Sequence, residues 1–511
     1  MSEPVIVIEL EAAIDAAGTV RTLLVSTRGF STRPSDVPAN TPVLGRVSDP
    51  GSLGVSAFSN GRSGGATRLE TGQIVIKNND GQLDAWRTYG FDGRKVIIRQ
   101  GQEGAAYPAG YATILSATAD GAIEATRGEL QLRFRDKSFV LGKPIQTTRY
   151  VGTNSAPNGL EGTPADIKGN VKPRLYGKVS NIAPVPVNSS KLAYQVNDGP
   201  VASIDAVYDS GLALTNAGND ATSAALLSAS VGSGTYRTCL AEGYFRIGSS
   251  PAGQITTDVT GQSAALSTAA QIMRAVGLQI GLTAADIAAG DVTALDGLNP
   301  AVIGLYVDSE ATALEVMDQA AQSIGAYFAF DRGGLLRMGR LSEPSGAGVA
   351  TITKSMMLGL ELLPMNDVAI PVWAVKVNYG RNGTVQTSGL AGSVSAERRA
   401  YLAKDYRSVS SSDGSVLTQY LMSGTYETTT AMVAEAAASS EAARLLGLYK
   451  KRREQFEIEL WLAEFIAAGI ELLSVVTLQL DRFGLEAGRP YLVLGYRFEV
   501  AKQRATITVW G

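Results

Sequence analysis

Histidine is absent from the 511-residue sequence, and cysteine occurs once. The absence of histidine excludes a Ser-His-Asp or Cys-His catalytic arrangement, an HExxH zinc motif and any imidazole metal ligand. A single thiol, Cys239, excludes an intrachain disulfide, a four-cysteine zinc site and an iron–sulfur cluster. We therefore predict no catalytic residue, no cofactor and no metal site, and we expect the chain not to be an enzyme.

Long apolar runs are also missing. No segment approaches the roughly 20 apolar residues that cross a bilayer, and the acidic start Met1–Glu9 lacks the basic region of a secretory signal. The strongest candidate, 465–480, is interrupted by Gly469, Glu471 and Ser474 and is predicted to be a helix end followed by a strand. We expect no membrane insertion by this chain and a cytoplasmic site of folding.

Charged residues are few, at 18%, and the net charge is −3. It divides into +4 for residues 1–180, −8 for 181–345 and +1 for 346–511. None of these regions has the basic excess of a dedicated nucleic-acid binder. The one basic cluster, Lys450–Arg453, follows a predicted helix, where cations offset the exposed carbonyls; the alternative is a contact with an acidic partner.

Apolar residues reach 45% and glycines number 56, which favours a folded chain with many turns and short strands. The length predicts about three to five domains. Residues 1–150 carry alternating segments typical of strands, interrupted by a Ser/Pro/Gly/Asn-rich stretch, 31–68, which we predict to be a long loop or hairpin arm. A linker-like stretch, 152–169, places the first boundary near residue 150, and residues 151–259 are again strand-like.

The middle of the chain changes character. A helical pattern over 266–276 is predicted to end at Gly277, and Thr312 with Glu315 forms a capping box that starts a second helix. A hairpin follows, with strands at 326–330 and 335–341, so residues 260–345 read as a compact α+β unit.

The last region, 346–511, starts with a strand at 372–379 and holds one Ala-rich helix, within 430–452. Four closely spaced strands follow the helix and indicate a barrel or a sandwich. The predicted fold class is α+β, mainly β, in several domains.

Four features that could carry chemistry favour structural interpretations. Gly61–Gly65 matches G-x-S-x-G, but it lacks the flanking elements and the histidine of a nucleophile elbow. Glu457 and Glu459 share one face of a strand whose other face is apolar, as in a half-buried strand rather than a glycosidase carboxylate pair. Cys239 is predicted to be a small buried hydrophobe, and Tyr327 and Phe330 are predicted to belong to the core.

Several segments nevertheless resemble one protein family. The pattern G-x-I-x-[IL]-x-N-x-D-G-x-L-D, followed by Y-x-F-D-G-R, spans residues 72–94. It is similar to the N-terminal module of baseplate hub or tail-tip proteins of tailed bacteriophages, chiefly those with long non-contractile tails, Mu-like phages and gene-transfer agents. Three further segments are similar to the same family: Pro173–Val179, Tyr194–Pro200 and Val207–Gly211.

The resemblance implies an architecture and a role. Such hubs resemble trimers in which each chain supplies two tube-like β-barrel domains, here 1–150 and 346–511, with peripheral α+β parts between them. It implies a virion protein, assembled in the host cytoplasm, that forms a ring below the tail tube and lets DNA pass without specific binding. The implied partners are the distal tail protein, the tail tube, the tape measure protein and other tail-tip or fibre proteins.

Other functions remain open. A hexameric distal tail, or tube-adaptor, protein would differ from a hub in having six copies per ring. A tail-associated cell-wall hydrolase would clear a peptidoglycan suspension, and a receptor-binding module would bind host cells. Because the sequence stops at Trp510-Gly511, directly after the last predicted strand, we expect no hydrolase or receptor-binding extension.

Overall fold

The computed structural model describes residues 4–58, 68–69, 72–154, 159–263, 266–364 and 370–511, with backbone alone at positions 53, 68 and 69. These residues form several sheets and few helices. The prediction of a mainly β, α+β chain is confirmed, whereas two tube-like barrels stay a proposal.

The N-terminal region is a ten-stranded sheet. Its strands run in the order β3-β4-β2-β1-β9-β10-β12-β8-β5, with β11 beside β12. The strands up to residue 135 are β1 (Val5–Ala13), β2 (Val20–Ser26), β3 (Phe30–Ser31), β4 (Pro42–Gly45), β5 (Val47–Asp49), β6 (Ser52–Ser56), β7 (Arg68–Leu69), β8 (Gly72–Lys77), β9 (Lys95–Gly101), β10 (Tyr111–Ala119), β11 (Glu124–Ala125) and β12 (Glu129–Arg135).

This sheet buries apolar residues on both faces. In β1, Ile8 lies directly opposite Ile98 of β9 on one face of the sheet. On the other face, Val5 and Val7 join a second cluster with Tyr107. Both faces of β1 are therefore covered by apolar residues.

The stretch predicted as a long loop or hairpin arm, 31–68, contains short strands in its described part. Within its described part, β4 and β5 join the first sheet, and β6 leaves it to pair with a strand near the C-terminus. The prolines and glycines that suggested a loop separate these short strands. Gly51, at φ +91°, sits at the point where the chain turns from β5 into β6.

Residues 174–260 fold into two facing five-stranded sheets that enclose a core around Phe245, whose ring stacks on Tyr194 at 5.2 Å. The elements are β13 (Arg174–Ile182), β14 (Val185–Asn188), β15 (Ala193–Gln195), β16 (Ser203–Asp209), β17 (Leu212–Ala213), β18 (Thr215–Asn219), α1 (Ser223–Ser228), β19 (Thr235–Cys239), β20 (Tyr244–Ile247) and β21 (Ile255–Thr260). A strand from the next unit completes one sheet by pairing with β13.

The helical unit contains α2 (Ala269–Gln279), α3 (Ala289–Leu298), β22 (Gly304–Val307), α4 (Ala313–Ser323), β23 (Ala326–Phe330) and β24 (Leu336–Arg340). The capping box is confirmed: Thr312 accepts from the Glu315 amide, and the Glu315 carboxylate accepts from the Thr312 amide. The predicted hairpin is present as β23 and β24.

One prediction in this unit fails, and one helix was not predicted. Gly277 lies inside α2, where an added Cβ would stand 3.3 Å from Ile287, so this glycine permits close packing and does not end the helix. The turn after α2 comes at Gly281, at φ +102°. The sequence also gave no prediction of α3, because its two glycines, threonine and valine lower helix propensity.

The last region holds two sheets. Its elements are β25 (Thr351–Thr353), β26 (Met357–Leu362), β27 (Ala374–Tyr379), α5 (Ala396–Leu402), β28 (Arg407–Ser412), α6 (Val416–Gln419), β29 (Thr425–Thr429), α7 (Glu435–Tyr449), β30 (Gln455–Trp461), α8 (Leu462–Ala467), β31 (Val475–Gln479), β32 (Arg489–Glu499) and β33 (Arg504–Trp510). Strands β28-β27-β29 form a separate small sheet against α7. The segment 374–429 lies outside the larger sheet, so a barrel in the last region would use only part of 346–511, and it stays a proposal.

The larger sheet runs β25-β31-β32-β33-β30-β26, and β6 adds to β32 with β7 beside it. Its two end strands, β25 and β26, are joined by the turn 354–356. Strand β25 pairs in parallel with the end of β31, and β26 pairs antiparallel with β30. The two strands follow each other in the same direction, so together they form one bent strand that links β31 to β30. The sheet thus curls back towards itself, and β26 extends past the end of β31.

Candidate functional site

The two glutamates considered as an acid/base pair lie on the outer face of β30, while Phe456, Ile458 and Leu460 are buried on the other. Glu459 accepts a hydrogen bond from Arg504 over 2.7 Å, and Glu457 is exposed. The half-buried strand predicted here is confirmed. Neither carboxylate faces an enclosed cleft.

The other single residues also have structural positions. Cys239 is fully buried, and burial raises the pKa of its thiol. Tyr327 and Phe330 are buried in the main core, as predicted. The G-x-S-x-G match at 61–65 lies outside the described residues. Within the described ranges, no three Cys, Asp or Glu side chains are grouped as a metal site would require.

The basic cluster 450–453 is used inside the chain. Helix α7 ends at Tyr449, with Lys450 as its C-cap, so the helix-end interpretation is confirmed. Lys450 pairs with Asp413 at 3.1 Å, and Lys451 pairs with Glu343 at 2.8 Å. Arg453 is buried over the ring of Trp510 at 4.9 Å, and burial lowers the pKa of its guanidinium.

The first family-like segment forms a braced turn. Asn78 accepts from the Leu83 amide over 2.9 Å and donates to Asp84 over 2.8 Å. Asp80 receives two hydrogen bonds from Arg46, at 2.7 and 2.6 Å, and these lower the pKa of the Asp80 carboxyl to about 2. The motif residues therefore fix the chain between β8 and β9.

The second and third segments contact each other. Asn197 accepts from the Leu175 amide over 2.9 Å, and Arg174 pairs with Asp198 at 3.3 Å. Gly177 has φ +68°, and a Cβ added to it would stand 1.8 Å from the carbonyl oxygen of Ile303. Only glycine therefore allows this close approach. Asn197 and Arg174 thus brace the two-sheet unit internally, and Gly177 lets that unit pack closely against the helical unit.

The hairpin turn at Arg332 contacts both the N-terminal sheet and the loop that leads into β31. The amide of Ser116 in β10 donates to the carbonyl of Arg332 over 2.6 Å, and the Arg332 guanidinium donates to Glu471 over 2.7 Å. Beside it, the ring of Phe58, which follows β6, meets the ring of Tyr327 edge-on at 5.9 Å. Burial raises the pKa of Glu471.

A buried ion cluster fastens α7 to the helical unit. Glu441 is 3% exposed and accepts hydrogen bonds from Arg340 and, at 2.9 and 2.6 Å, from Arg444. Arg340 also donates to the carbonyls of Ile324 and Leu298. Burial, followed by repulsion from Arg444, lowers the pKa of Arg340 to about 10.

Sequence reasoning missed these joining residues. Arg332 and Glu441 bind partners more than a hundred residues away, and no local pattern encodes such pairs. Strand β26 was also missed, although Leu358, Leu360 and Leu362 alternate with other residues in the period of a strand. That alternation was a usable signal.

No helix within the described ranges is long and apolar enough to span a membrane. No family model and no curated protein matches the sequence.

Comparison with solved structures finds similarity to two tail proteins and to a chain of a gene transfer agent virion. A tail protein from Neisseria meningitidis MC58 is 8% identical, with 99% of this chain and 96% of that one covered and a TM-score of 0.41. The 43 kDa tail protein of prophage MuSo2 from Shewanella oneidensis is 10% identical, with coverages of 99% and 96% and a TM-score of 0.40. A chain of the virion of a native gene transfer agent particle is 15% identical, with coverages of 72% and 91% and a TM-score of 0.44.

Proposed function

We propose that this chain is a structural baseplate hub, or tail-tip protein, of a tailed bacteriophage with a long non-contractile tail. In this role, copies of the chain form a ring that continues the tail tube, adapts its symmetry to the tip and lets DNA pass during ejection. The work of the protein is mechanical, and its place is the tail end of the virion after assembly in the host cytoplasm.

The observation that carries the proposal is the strand pairing between the N-terminal region and the C-terminal sheet. Strand β6, from the N-terminal region, pairs with β32 of the C-terminal sheet over five residue pairs. The turn at Arg332 adds a second connection, between the N-terminal sheet and the loop that leads into β31 of the C-terminal sheet. A ring wall in which each copy supplies two modules requires those modules to be held at a fixed mutual angle, and these contacts supply that rigidity.

The family-like segments support the same role. They brace turns and join units, as the contacts of Asp80, Asn197 and Gly177 illustrate. A structural ring subunit needs such positions more than it needs a reactive cleft. We propose a homotrimer that contacts the distal tail protein, the tail tube, the tape measure protein and other tail-tip or fibre proteins.

The copy number tests the proposal. Light scattering on the purified full chain is expected to give three times its 53.5 kDa, and negative-stain averages are expected to show a central bore. Six copies around the bore would favour the distal tail alternative. A solitary monomer at all concentrations, with no bore even in reconstructions of the particle's tail end, would overturn both.

A second measurement addresses the enzymatic alternative. The purified chain is expected to leave a peptidoglycan suspension turbid. Clearing of the suspension, retained after further purification, would favour a cell-wall hydrolase instead.

A further inference from the structure

Strand β26 has one unpaired edge within the described part of the chain. It pairs with β30 through the register Leu360–Ile458 and Leu362–Phe456. Its second edge extends past the end of β31, since β25 and not β26 pairs with that strand. The amides and carbonyls along this edge are thus open to another extended segment.

The core-facing side of β26 is incompletely covered. Leu358, Leu360 and Leu362 are 37%, 37% and 45% exposed, whereas their neighbours Ile458 and Phe456 on the same face are fully buried. Phe483, 49% exposed, contacts the ring of Phe456 at 5.9 Å and borders the same gap. The apolar layer of the curled sheet therefore stops at a row of half-covered leucines.

The opposite face of this edge is acidic. Glu361 of β26 lies directly opposite Glu457 of β30, and both side chains are exposed. Like charges on directly opposed residues of neighbouring strands destabilise the pairing. In the described ranges neither carboxylate has an ion-pair partner, whereas Glu459 is paired with Arg504. Trp461, 46% exposed, lies on the same face as Glu457 and Glu459.

We propose that the free edge of β26 is a docking site for an extended segment of another protein, whose residues alternate between aliphatic and basic. Such a segment adds a strand to the sheet, as in β-augmentation. Its aliphatic residues cover Leu358, Leu360 and Leu362. Its lysines or arginines lie beside Glu361 and relieve the repulsion with Glu457, and a basic side chain near the end of the strand reaches the face of Trp461. This inference goes beyond the ring and does not depend on copy number.

Fluorescence anisotropy with labelled nine-residue peptides tests the docking site on the full chain. A peptide alternating valine and lysine is expected to bind about tenfold or more tightly than one alternating valine and glutamate, because only the former complements both faces. A peptide of the same composition as the first, with its valines and lysines in separate blocks, is the control for non-specific attraction. The double variant Glu361→Lys, Glu457→Lys is expected to reverse the preference.

Two matched variants separate docking from folding. Leu360→Arg is expected to abolish binding of the valine–lysine peptide, while Leu298→Arg, at a leucine 60% exposed at the end of α3, leaves it unchanged. Thermal unfolding of both variants checks that each is folded. Equal binding of the three peptides would overturn the proposal. So would self-association that Leu360→Arg abolishes, because the edge would then belong to a second copy.

Discussion

The guanidinium of Arg332 donates to a carboxylate oxygen of Glu471 over 2.7 Å, while the carbonyl of Arg332 holds Ser116 in the N-terminal sheet. One residue at a hairpin turn thus contacts the N-terminal sheet and the loop that leads into β31 of the C-terminal sheet. The side chains of Arg332 and Glu471 are 15% and 30% exposed, so solvent screens their ion pair less than a surface pair.

We expect Arg332→Ala and Glu471→Gln each to lower the free energy of unfolding by about 1–2 kcal/mol. The double variant is expected to lose less than the sum, with a coupling of about 1 kcal/mol, since both single changes remove one interaction. Urea unfolding of the four proteins measures the cycle. Arg452→Ala, at an exposed position without an ion-pair partner in the described part of the chain, is the matched control; strict additivity in the cycle would contradict the coupling.

Glu441→Ala is expected to cost about 3–5 kcal/mol, because it leaves Arg340 and Arg444 partly buried without their shared anion. Ser439→Ala, an exposed position two residues earlier in α7, is expected to change stability little. Thermal unfolding compares the two variants. A similar melting temperature for both would show that the cluster contributes no net stability.

Gly177→Ala is expected to destabilise the chain by about 2 kcal/mol or more, since the position needs a positive φ and the new Cβ would meet the Ile303 carbonyl. Gly290→Ala, inside α3 and with nothing within 4 Å of the added Cβ, is expected to stabilise by about 0.5–1 kcal/mol. Denaturant midpoints of both variants check the contrast. A harmless alanine at position 177 would refute the steric argument.

Asp318, in α4, makes the stability of the folded chain depend on pH. Burial raises the pKa of its carboxyl from 3.8 to about 6. Because the folded pKa lies above the unfolded value, the folded state holds the proton more tightly, and stability falls as pH rises from about 4 to about 6. Asp318→Asn is expected to be more stable than the parent by about 1 kcal/mol at pH 8, after allowance for solvent screening, and equal to it at pH 3. Melting temperatures at the two pH values test the sign.

The near-neutral charge predicts weak contact with DNA. A cationic groove binds duplex DNA non-specifically at roughly 10⁻⁴–10⁻⁶ M at physiological salt, and a channel with that affinity would retain its cargo. We expect no retardation of duplex DNA by low micromolar protein in roughly 0.15 M salt. A gel shift under those conditions, persisting with unrelated DNA sequences, would count against passage without binding.

Local structure was readable from the sequence where one short-range rule dominated. The capping box at Thr312 and Glu315 and the alternation in β30 needed only neighbouring residues. Helix α3 was not predicted, because its helix propensity is low and it forms through the tertiary packing of Val292 and Leu295. The prediction that Gly277 ends α2 was wrong, because the sequence does not distinguish a glycine that allows close packing from one that ends a helix.

The contacts that join segments far apart in the chain could not be predicted from the sequence. The pairing of β6 with β32 and the approach of Arg340 to Glu441 link segments far apart in sequence, which no periodicity records. The family-like segments were found as patterns, but their structural roles emerged only from contacts: Asn197 braces Leu175 within one unit, and Gly177 packs against Ile303 of the next.

The pairing of β6 with β32 also bears on how the chain is made. At synthesis rates of roughly 5–20 residues per second, β32 leaves the ribosome tens of seconds after β6. Until β32 is made, β6 lacks the strand with which it pairs in the finished protein, where Val55 and Ala57 are buried. During translation, β6 therefore passes through a stage in which its strand edge is unpaired. We expect molecular chaperones to bind the nascent chain at that stage.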